Sequence, residues 1–422
     1  MHTLSRLLAW ASQAPQRPAI LTDQKTLTYQ DLVEQILAYQ PQESISYPTL
    51  IVKRDCFQQL IAFCYHLQHG NYPLICHPNL PEEEQRRLSS CDPPSDKAAF
   101  AVLSSGSTGR PKVFWRSWAS WSDFFEQQNQ LFYFSEQTRL FSHGSLSFTG
   151  NLNLALAQLW AGGCLVFSDQ RSFKGWSSVW RRQKVTHLYL LPSLLQRLLP
   201  YFSADSYFAP YLLTSSQHLS PELIRSYYQR FPQLELLMFY GASELSFISW
   251  CQGFEAMAIA GFVGRPFPQV KLELREGHIF VQTPYAIEGI EQPYSVDDVG
   301  EMTAAGLILK GRTKDWVNQQ GVKCHLPSLV QLVHQSGVVQ EAAAIKGGSS
   351  AADEHVILCL VLKKQRSLTA VKAYLEAHLS PAQLPKRYML LKELPLNDSG
   401  KVDSRRLSQL ANKPSNAAHN TK

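Results

Sequence analysis

The sequence contains no C-x-x-C pair. Its eight cysteines (Cys56, Cys64, Cys76, Cys91, Cys164, Cys251, Cys324 and Cys359) are scattered without regular spacing, which argues against a disulfide framework or a zinc site and for reduced, buried thiols. The thirteen histidines include no H-E-x-x-H or H-x-x-x-H pattern, and the close pair His66 and His69, with Cys64 two residues before it, has no neighbouring carboxylate to complete a metal site. Metal-hydrolase chemistry is therefore disfavoured. No stretch approaches the roughly 18 to 20 consecutive apolar residues of a membrane helix; even Leu188-Tyr189-Leu190-Leu191 is bracketed by His187 and Pro192. The run Leu7-Leu8-Ala9-Trp10-Ala11 is too short for the apolar stretch of a signal peptide and reads as one face of a helix ending near Pro15, so a cytoplasmic location is expected. Lys and Arg are not clustered among aromatics, which speaks against nucleic-acid binding. No internal repeat is present.

A chain of 422 residues is long enough for two to three domains at roughly 150 residues each. With 45% hydrophobic and 18% charged residues, 22 Gly and 24 Pro, it is neither disordered nor fibrous and should bury a sizeable core. The charge is unevenly placed. Residues 314–422 carry 15 Lys and Arg against 8 Asp and Glu, leaving 25 against 26 in the preceding 313, so the net charge of +6 belongs to the C-terminal quarter. A positive small domain suits polyphosphate or acidic-protein partners.

The hydrophobic pattern alternates between strand and helix. Short apolar runs at Leu50-Ile51-Val52, Pro73-Leu74-Ile75-Cys76, Phe100-Ala101-Val102-Leu103, Cys164-Leu165-Val166-Phe167, Leu188 to Leu191, Tyr211-Leu212-Leu213 and Leu236 to Phe239 read as strands, and Phe57 to His69 repeats at helical spacing. Such alternation implies an α/β fold with a parallel or mixed sheet. From Val270 to Val281 the period shortens to two around Glu276-Gly277, which predicts an antiparallel hairpin. Beyond Gly311-Arg312 the spacing predicts a compact α+β unit: helices at Leu326 to His334 and Leu368 to Leu379, strands at Ala342 to Ile345, Val356 to Leu362 and Lys386 to Leu391. Pattern and charge change together near Thr313 and Lys314, placing a domain boundary there, with domains 1–313 and 314–422.

The strongest chemical signal is Leu103-Ser104-Ser105-Gly106-Ser107-Thr108-Gly109-Arg110-Pro111-Lys112, directly after a strand. Two glycines let the backbone curl, hydroxyls supply donors and Lys112 a cation, together an anion cradle. It is not a Walker A loop, since no Gly-Lys-Ser/Thr ending follows, and no G-x-S-x-G frames Ser105 or Ser107 as a nucleophile.

This loop resembles the phosphate-binding signature of the adenylate-forming superfamily, which includes acyl-CoA and aryl-CoA synthetases, peptide-synthetase adenylation domains and luciferases. Further segments are similar to the family's motifs in the same order: Tyr240-Gly241-Ala242-Ser243-Glu244, Val263-Gly264-Arg265-Pro266, Tyr294 to Glu301, Gly311-Arg312-Thr313-Lys314-Asp315, and Leu394 to Asp403 around Lys401. The resemblance runs from Leu7 to Leu407 and implies a large multi-sheet N-terminal domain with a small mobile C-terminal domain. It implies that Ser104, Ser105, Gly106, Ser107, Thr108, Gly109 and Lys112 bind the ATP phosphates. Tyr240 and Gly241 would line the adenine, Asp298 would accept from the ribose hydroxyls, and Arg312 would donate to the ribose and phosphate side. Ser243 and Glu244 would act at the reacting centre, Glu244 as the carboxylate for Mg²⁺. Lys401 would stabilise the charge developing on the α-phosphate, and Lys314 would be the hinge.

The implied reaction activates a carboxylic acid as an acyl-adenylate with release of pyrophosphate, followed by rotation of the small domain and transfer of the acyl group to a thiol. By size the chain resembles the compact bacterial acyl- and aryl-CoA ligases, which makes CoA the expected acceptor. The alternative acceptor is the phosphopantetheine of an acyl carrier protein; the basic residues Lys363, Lys364, Arg366, Lys386 and Arg387 are the candidates either for cations near the 3′-phosphate of CoA or for the face that docks an acidic carrier. A third reading is a non-catalytic homologue. The enzyme is expected as a monomer or homodimer. Several positions depart from the family pattern: Val296 and Asp297 stand where Thr and Gly are usual, Ser243 where Thr is usual, and Ser215-Ser216-Gln217 where a Gly-Gly-Ala turn borders the adenine and acyl pocket. Phe148 falls where many acyl-CoA synthetases have a His, and His143, five residues earlier, reads as structural.

Overall fold

The computed structural model describes residues 3–104, 111–170, 172–203, 206–215, 219–312, 315–319, 321–348, 353–396 and 402–412. Two compact units emerge: Met1–Val296 with Gly300–Leu309, and Asp297–Val299 with Lys310–Lys422.

The larger unit is organised by two sheets. In one, the strands Cys164–Val166, Arg139–Ser142, His187–Tyr189, Tyr211–Ser215 and Glu235–Ala242 run parallel in that spatial order, and Ser246–Gln252 and Phe262–Pro266 add antiparallel at the far side. Helices Thr149–Trp160, Phe173–Arg182, Pro192–Leu198 and Pro221–Arg230 connect the parallel strands. These strands are sandwiched between helices and buried on both faces, which is why they read as short continuous apolar runs rather than as alternating ones. The strand at Leu188 stops earlier than its apolar run predicts, at Tyr189, because Pro192 occupies the first turn of the next helix, where its missing N–H costs nothing.

In the second sheet Thr49–Ile51, Pro73–Ile75 and Ala98–Ser104 are parallel, and Lys112–Ser117 returns antiparallel to Ala98–Ser104. The register pairs Leu103 with Val113 and Ser104 with Lys112. The candidate phosphate loop is thus the connection of a hairpin whose stems are held by cross-strand bonds. The predicted Glu276-Gly277 turn joins Lys271–Arg275 to His278–Gln282 with both turn residues at positive φ, +50° and +81°, as a two-residue hairpin connection requires.

The smaller unit holds a three-stranded sheet, Val339–Gly347 antiparallel to His355–Leu362, which runs parallel to Arg387–Leu390. Successive residues of His355–Leu362 serve opposite cores: Val356, Leu358 and Leu360 pack with the helices Leu326–Gln335 and Leu368–Glu376, while Ile357, Cys359 and Val361 pack with Leu407 and Ala411 of Ser404–Asn412. A hairpin that the sequence pattern left unmarked, Trp316–Gln319 with Val322–His325, opens this unit.

Among the described residues no helix is long and apolar enough to cross a membrane. All eight cysteines are free, and six of them are buried.

Candidate functional site

In the larger unit the strand Glu235–Ala242 delivers Tyr240 and Gly241 to its C-terminal end, where the register shifts opposite Ser246–Gln252. Tyr240 is only 9% exposed and packs in the main apolar core. A Cβ on Gly241 would lie 2.4 Å from the carbonyl oxygen of Ser246. The two chains approach so closely there that only glycine fits. Ser243 and Glu244 follow in the turn, both half-buried.

Three segments meet at this turn. The Thr149 hydroxyl lies 3.5 Å from both the Leu103 carbonyl oxygen and the Ser243 Oγ. Arg116, on the strand leaving the phosphate loop, donates from Nη2 to the Ser243 carbonyl at 2.5 Å and from Nη1 to the Tyr285 carbonyl at 2.9 Å. The backbone N–H of Ile287 donates to the Glu244 carbonyl, and that of Glu288 to the Trp115 carbonyl, each at 2.8 Å. Arg116 is 0% exposed. Burial pushes its pKa down to about 9, with the Glu244 charge opposing that shift, so it remains a cation at neutral pH.

Lys112 is exposed at the start of the returning strand. Ser104 ends the strand Ala98–Ser104. Ser105, Gly106, Ser107, Thr108 and Gly109 lie outside the described residues, as do Ser216, Lys314 and Lys401. Ser215 is buried at the end of Tyr211–Ser215, its Oγ 2.9 Å from the Tyr189 hydroxyl, and Tyr189 stacks on Phe239. Phe148 caps the helix Thr149–Trp160, and the His143 ring packs 4.6 Å from Trp176.

Asp298 and Arg312 are brought together although fourteen positions apart. The Arg312 Nε donates to the Asp298 Oδ1 at 2.6 Å, and the Arg312 N–H to the Asp315 carboxylate at 3.1 Å. The Asp298 side chain is 6% exposed and that of Arg312 46%. The preceding residue, Asp297, has φ +63°, in the left-handed region that favours glycine. Gly311 has φ +116°, and a Cβ there would strike the His325 ring.

The sequence reading missed Arg116. Its signal was available: a lone guanidinium inside the run Val113-Phe114-Trp115-Arg116-Ser117-Trp118, where a charge needs buried partners. Nothing in the sequence indicated that Thr149 would lie against Ser243, since the pair is 94 residues apart.

Residues 55–281 match the family described as AMP-binding enzyme. A Bacillus subtilis protein named uncharacterized acyl–CoA ligase YhfT is 27% identical over 386 residues, covering 85% of this chain and 78% of that protein. The Staphylococcus haemolyticus putative long chain fatty acid-CoA ligase VraA is 26% identical over 315 residues, covering 71% and 68%. Among solved structures, O-succinylbenzoate coenzyme A synthetase of Bacillus subtilis in complex with AMP superimposes with a TM-score of 0.80 at 16% identity, covering 95% of this chain and 97% of that one. ATP-bound MatB from Rhodopseudomonas palustris gives 0.83 at 17%, covering 98% and 99%. These likenesses show the adenylate-forming enzyme fold, with a large sheet-rich domain and a separate small C-terminal domain. With more than half its length matched, the chain belongs to the AMP-binding enzyme family and is an adenylate-forming ligase.

Proposed function

We propose that this enzyme couples a carboxylic acid to CoA at the expense of ATP, releasing AMP and pyrophosphate. The carboxylate attacks the α-phosphorus, the bond to the bridging oxygen breaks, and pyrophosphate leaves with its electron pair. The CoA sulfur then adds to the acyl carbon of the adenylate, and AMP departs. Both steps need positioning and charge neutralisation rather than a protein nucleophile. The observation that carries this reading is the junction at Ser243: the strand entering the phosphate loop, the strand leaving it and the segment bearing Glu244 are joined through Thr149 and Arg116.

The loop residues Ser104 to Gly109 with Lys112 take the phosphates, and Tyr240 and Gly241 the adenine. Asp298 accepts from the ribose hydroxyls and is oriented for this by Arg312. Glu244 is a hard carboxylate of the kind Mg²⁺ takes, and it follows Ser243, whose hydroxyl lies 3.5 Å from that of Thr149. Bound there, Mg²⁺ would neutralise phosphate charge. Lys401 supplies charge during adenylation, and Lys314 serves as the hinge. Phe148, Ser215 and Ser216 border the acid.

CoA is favoured as acceptor because relatives of this length are named acyl–CoA ligases. The basic C-terminal quarter is the feature that would suit an acidic carrier protein. A panel of carboxylic acids assayed for pyrophosphate release, with CoA and with a holo carrier protein, tests both. Thioester with CoA is the expected outcome. Thioester only with the carrier protein, in a salt-sensitive way, replaces CoA as the acceptor, and no pyrophosphate with any acid removes the activity.

A further inference from the structure

A fully buried guanidinium is costly unless its surroundings repay the lost hydration. Among the described residues no carboxylate forms an ion pair with Arg116; its partners are the carbonyls of Ser243 and Tyr285 and, at 3.4 Å, the Ser120 hydroxyl, with the Trp121 ring 5.4 Å away. A well-packed apolar side chain would fill such a site at less cost, so fold stability alone gives little reason for an arginine here. The contacts point instead to the neighbouring turn. Arg116 binds the Ser243 carbonyl directly, before Glu244, and is linked to the far side of the turn through the Tyr285 carbonyl, which also accepts from the Ser246 hydroxyl. The next residue back along its own strand, Trp115, accepts from Glu288, whose chain in turn leads from Ile287, the donor to the Glu244 carbonyl.

We infer that Arg116 is a positioning residue for ATP activation: its buried guanidinium fixes the Ser243–Glu244 turn to the strand Lys112–Ser117, so that the Glu244 carboxylate is presented in a fixed place for metal and phosphate. This rests on the assignment of Glu244 above. Three contacts hold the turn: the Arg116 cation at the Ser243 carbonyl, the Ile287 N–H at the Glu244 carbonyl and the Ser246 hydroxyl donating to the Tyr285 carbonyl. Only Arg116 carries charge. Its effect therefore falls on the groups that manage phosphate charge, before any effect on the acid or the thiol.

The test uses the full chain as wild type, Arg116→Lys, Arg116→Met, Glu244→Gln and the double variant Arg116→Lys/Glu244→Gln. Three readouts are taken: ATP–pyrophosphate exchange against Mg²⁺ concentration, thioester formation from a supplied acyl-adenylate, and ATP binding by thermal shift with and without Mg²⁺, which needs no turnover. Arg116→Lys should keep the fold yet raise the KM for ATP and the half-saturating Mg²⁺ concentration about ten-fold, with kcat changed less. Thioester formation from a supplied acyl-adenylate should stay within about two-fold. In the Glu244→Gln background the same lysine substitution should add less than about two-fold, because both changes act on one arrangement. Additive effects, a fall in both half-reactions in proportion to lost stability, or Mg²⁺-dependent ATP binding unchanged in Arg116→Lys would each overturn the inference. Should Arg116→Met fail to fold, the lysine variant and the cycle still decide. A wild type that binds ATP with Mg²⁺ but exchanges no pyrophosphate would count against the proposed reaction, while the binding measurements would still judge Arg116.

Discussion

The Nε of Arg312 lies 2.6 Å from the Oδ1 of Asp298, a carboxylate whose side chain is 6% exposed. The pair orients the carboxylate, and the 46% exposure of the Arg312 side chain leaves its guanidinium edge in water, where an ion pair adds little to stability. Its effect should therefore appear in ATP use. Asp298→Asn keeps the shape and removes the charge, and we expect the KM for ATP in pyrophosphate release to rise roughly ten- to hundred-fold with the melting temperature nearly unchanged. An unaltered KM would remove Asp298 from the nucleotide site.

Asp297 sits at φ +63°, a conformation that costs a residue with a Cβ about 1 kcal/mol or more, though less for Asp than for bulky residues. Asp297→Gly relieves that strain but loosens the unfolded chain, so stability in urea should change by less than about 1 kcal/mol with activity retained. Asp297→Val, β-branched, should lose about 1 to 3 kcal/mol. Equal stability of the two variants would contradict the assigned backbone conformation.

Away from the nucleotide residues, Glu43 accepts from the Tyr39 hydroxyl at 2.8 Å, pairs with Lys53 at 2.9 Å and lies 3.4 Å from the Nε2 of His66. Burial alone would raise the Glu43 carboxyl, but hydrogen bonds from Lys53, the backbone and Tyr39 outweigh it and hold its pKa at about 2, against 4.5 when unfolded. A depressed carboxylate stabilises fully above its unfolded pKa and loses that contribution as pH falls toward the folded value. Burial likewise lowers His66, so its protonation below about pH 6.5 favours the unfolded chain. Both effects act in one direction. Unfolding free energy should drop by about 2 kcal/mol from Glu43 between pH 6 and pH 3, and Glu43→Gln should flatten that slope. A slope unchanged in the variant would show that other carboxylates carry the acid sensitivity.

Two lysines should separate the half-reactions. Lys112→Ala removes an exposed cation beside the loop and is expected to weaken ATP use by roughly one to two powers of ten with the fold intact. Lys401→Ala should abolish adenylate formation yet leave thioester formation from a supplied acyl-adenylate largely intact. Loss of both steps in the Lys401 variant would mean that the lysine has a role beyond the first.

Much of the architecture was legible because each element is specified over a short span. The apolar runs around Leu212 and Leu236 read as strands and are strands, the expected turn at Glu276-Gly277 closes a hairpin, and the loop after Leu103 drew attention through Gly106, Gly109 and Lys112. Boundaries were less legible where a neighbour competed. Pro192 shortened a strand, and the hairpin Trp316–Gln319 with Val322–His325 is mixed in polarity and gave no periodic signal.

Sequence by itself determined the set of chemical groups: a hydroxyl- and glycine-rich loop, a carboxylate at Glu244, a second at Asp298 and a guanidinium at Arg312, in an order that identifies the family. Tertiary structure alone decided which of these are held, and by what. Thr149 meets Leu103 and Ser243, Arg116 reaches the carbonyls of Ser243 and Tyr285, and Glu43 gathers Tyr39, Lys53 and His66. Partners from four to 169 residues apart are chosen by how sheets and helices stack. A buried polar group takes whichever donor or acceptor that packing supplies, because leaving it unpaired away from water costs more than the pairing does.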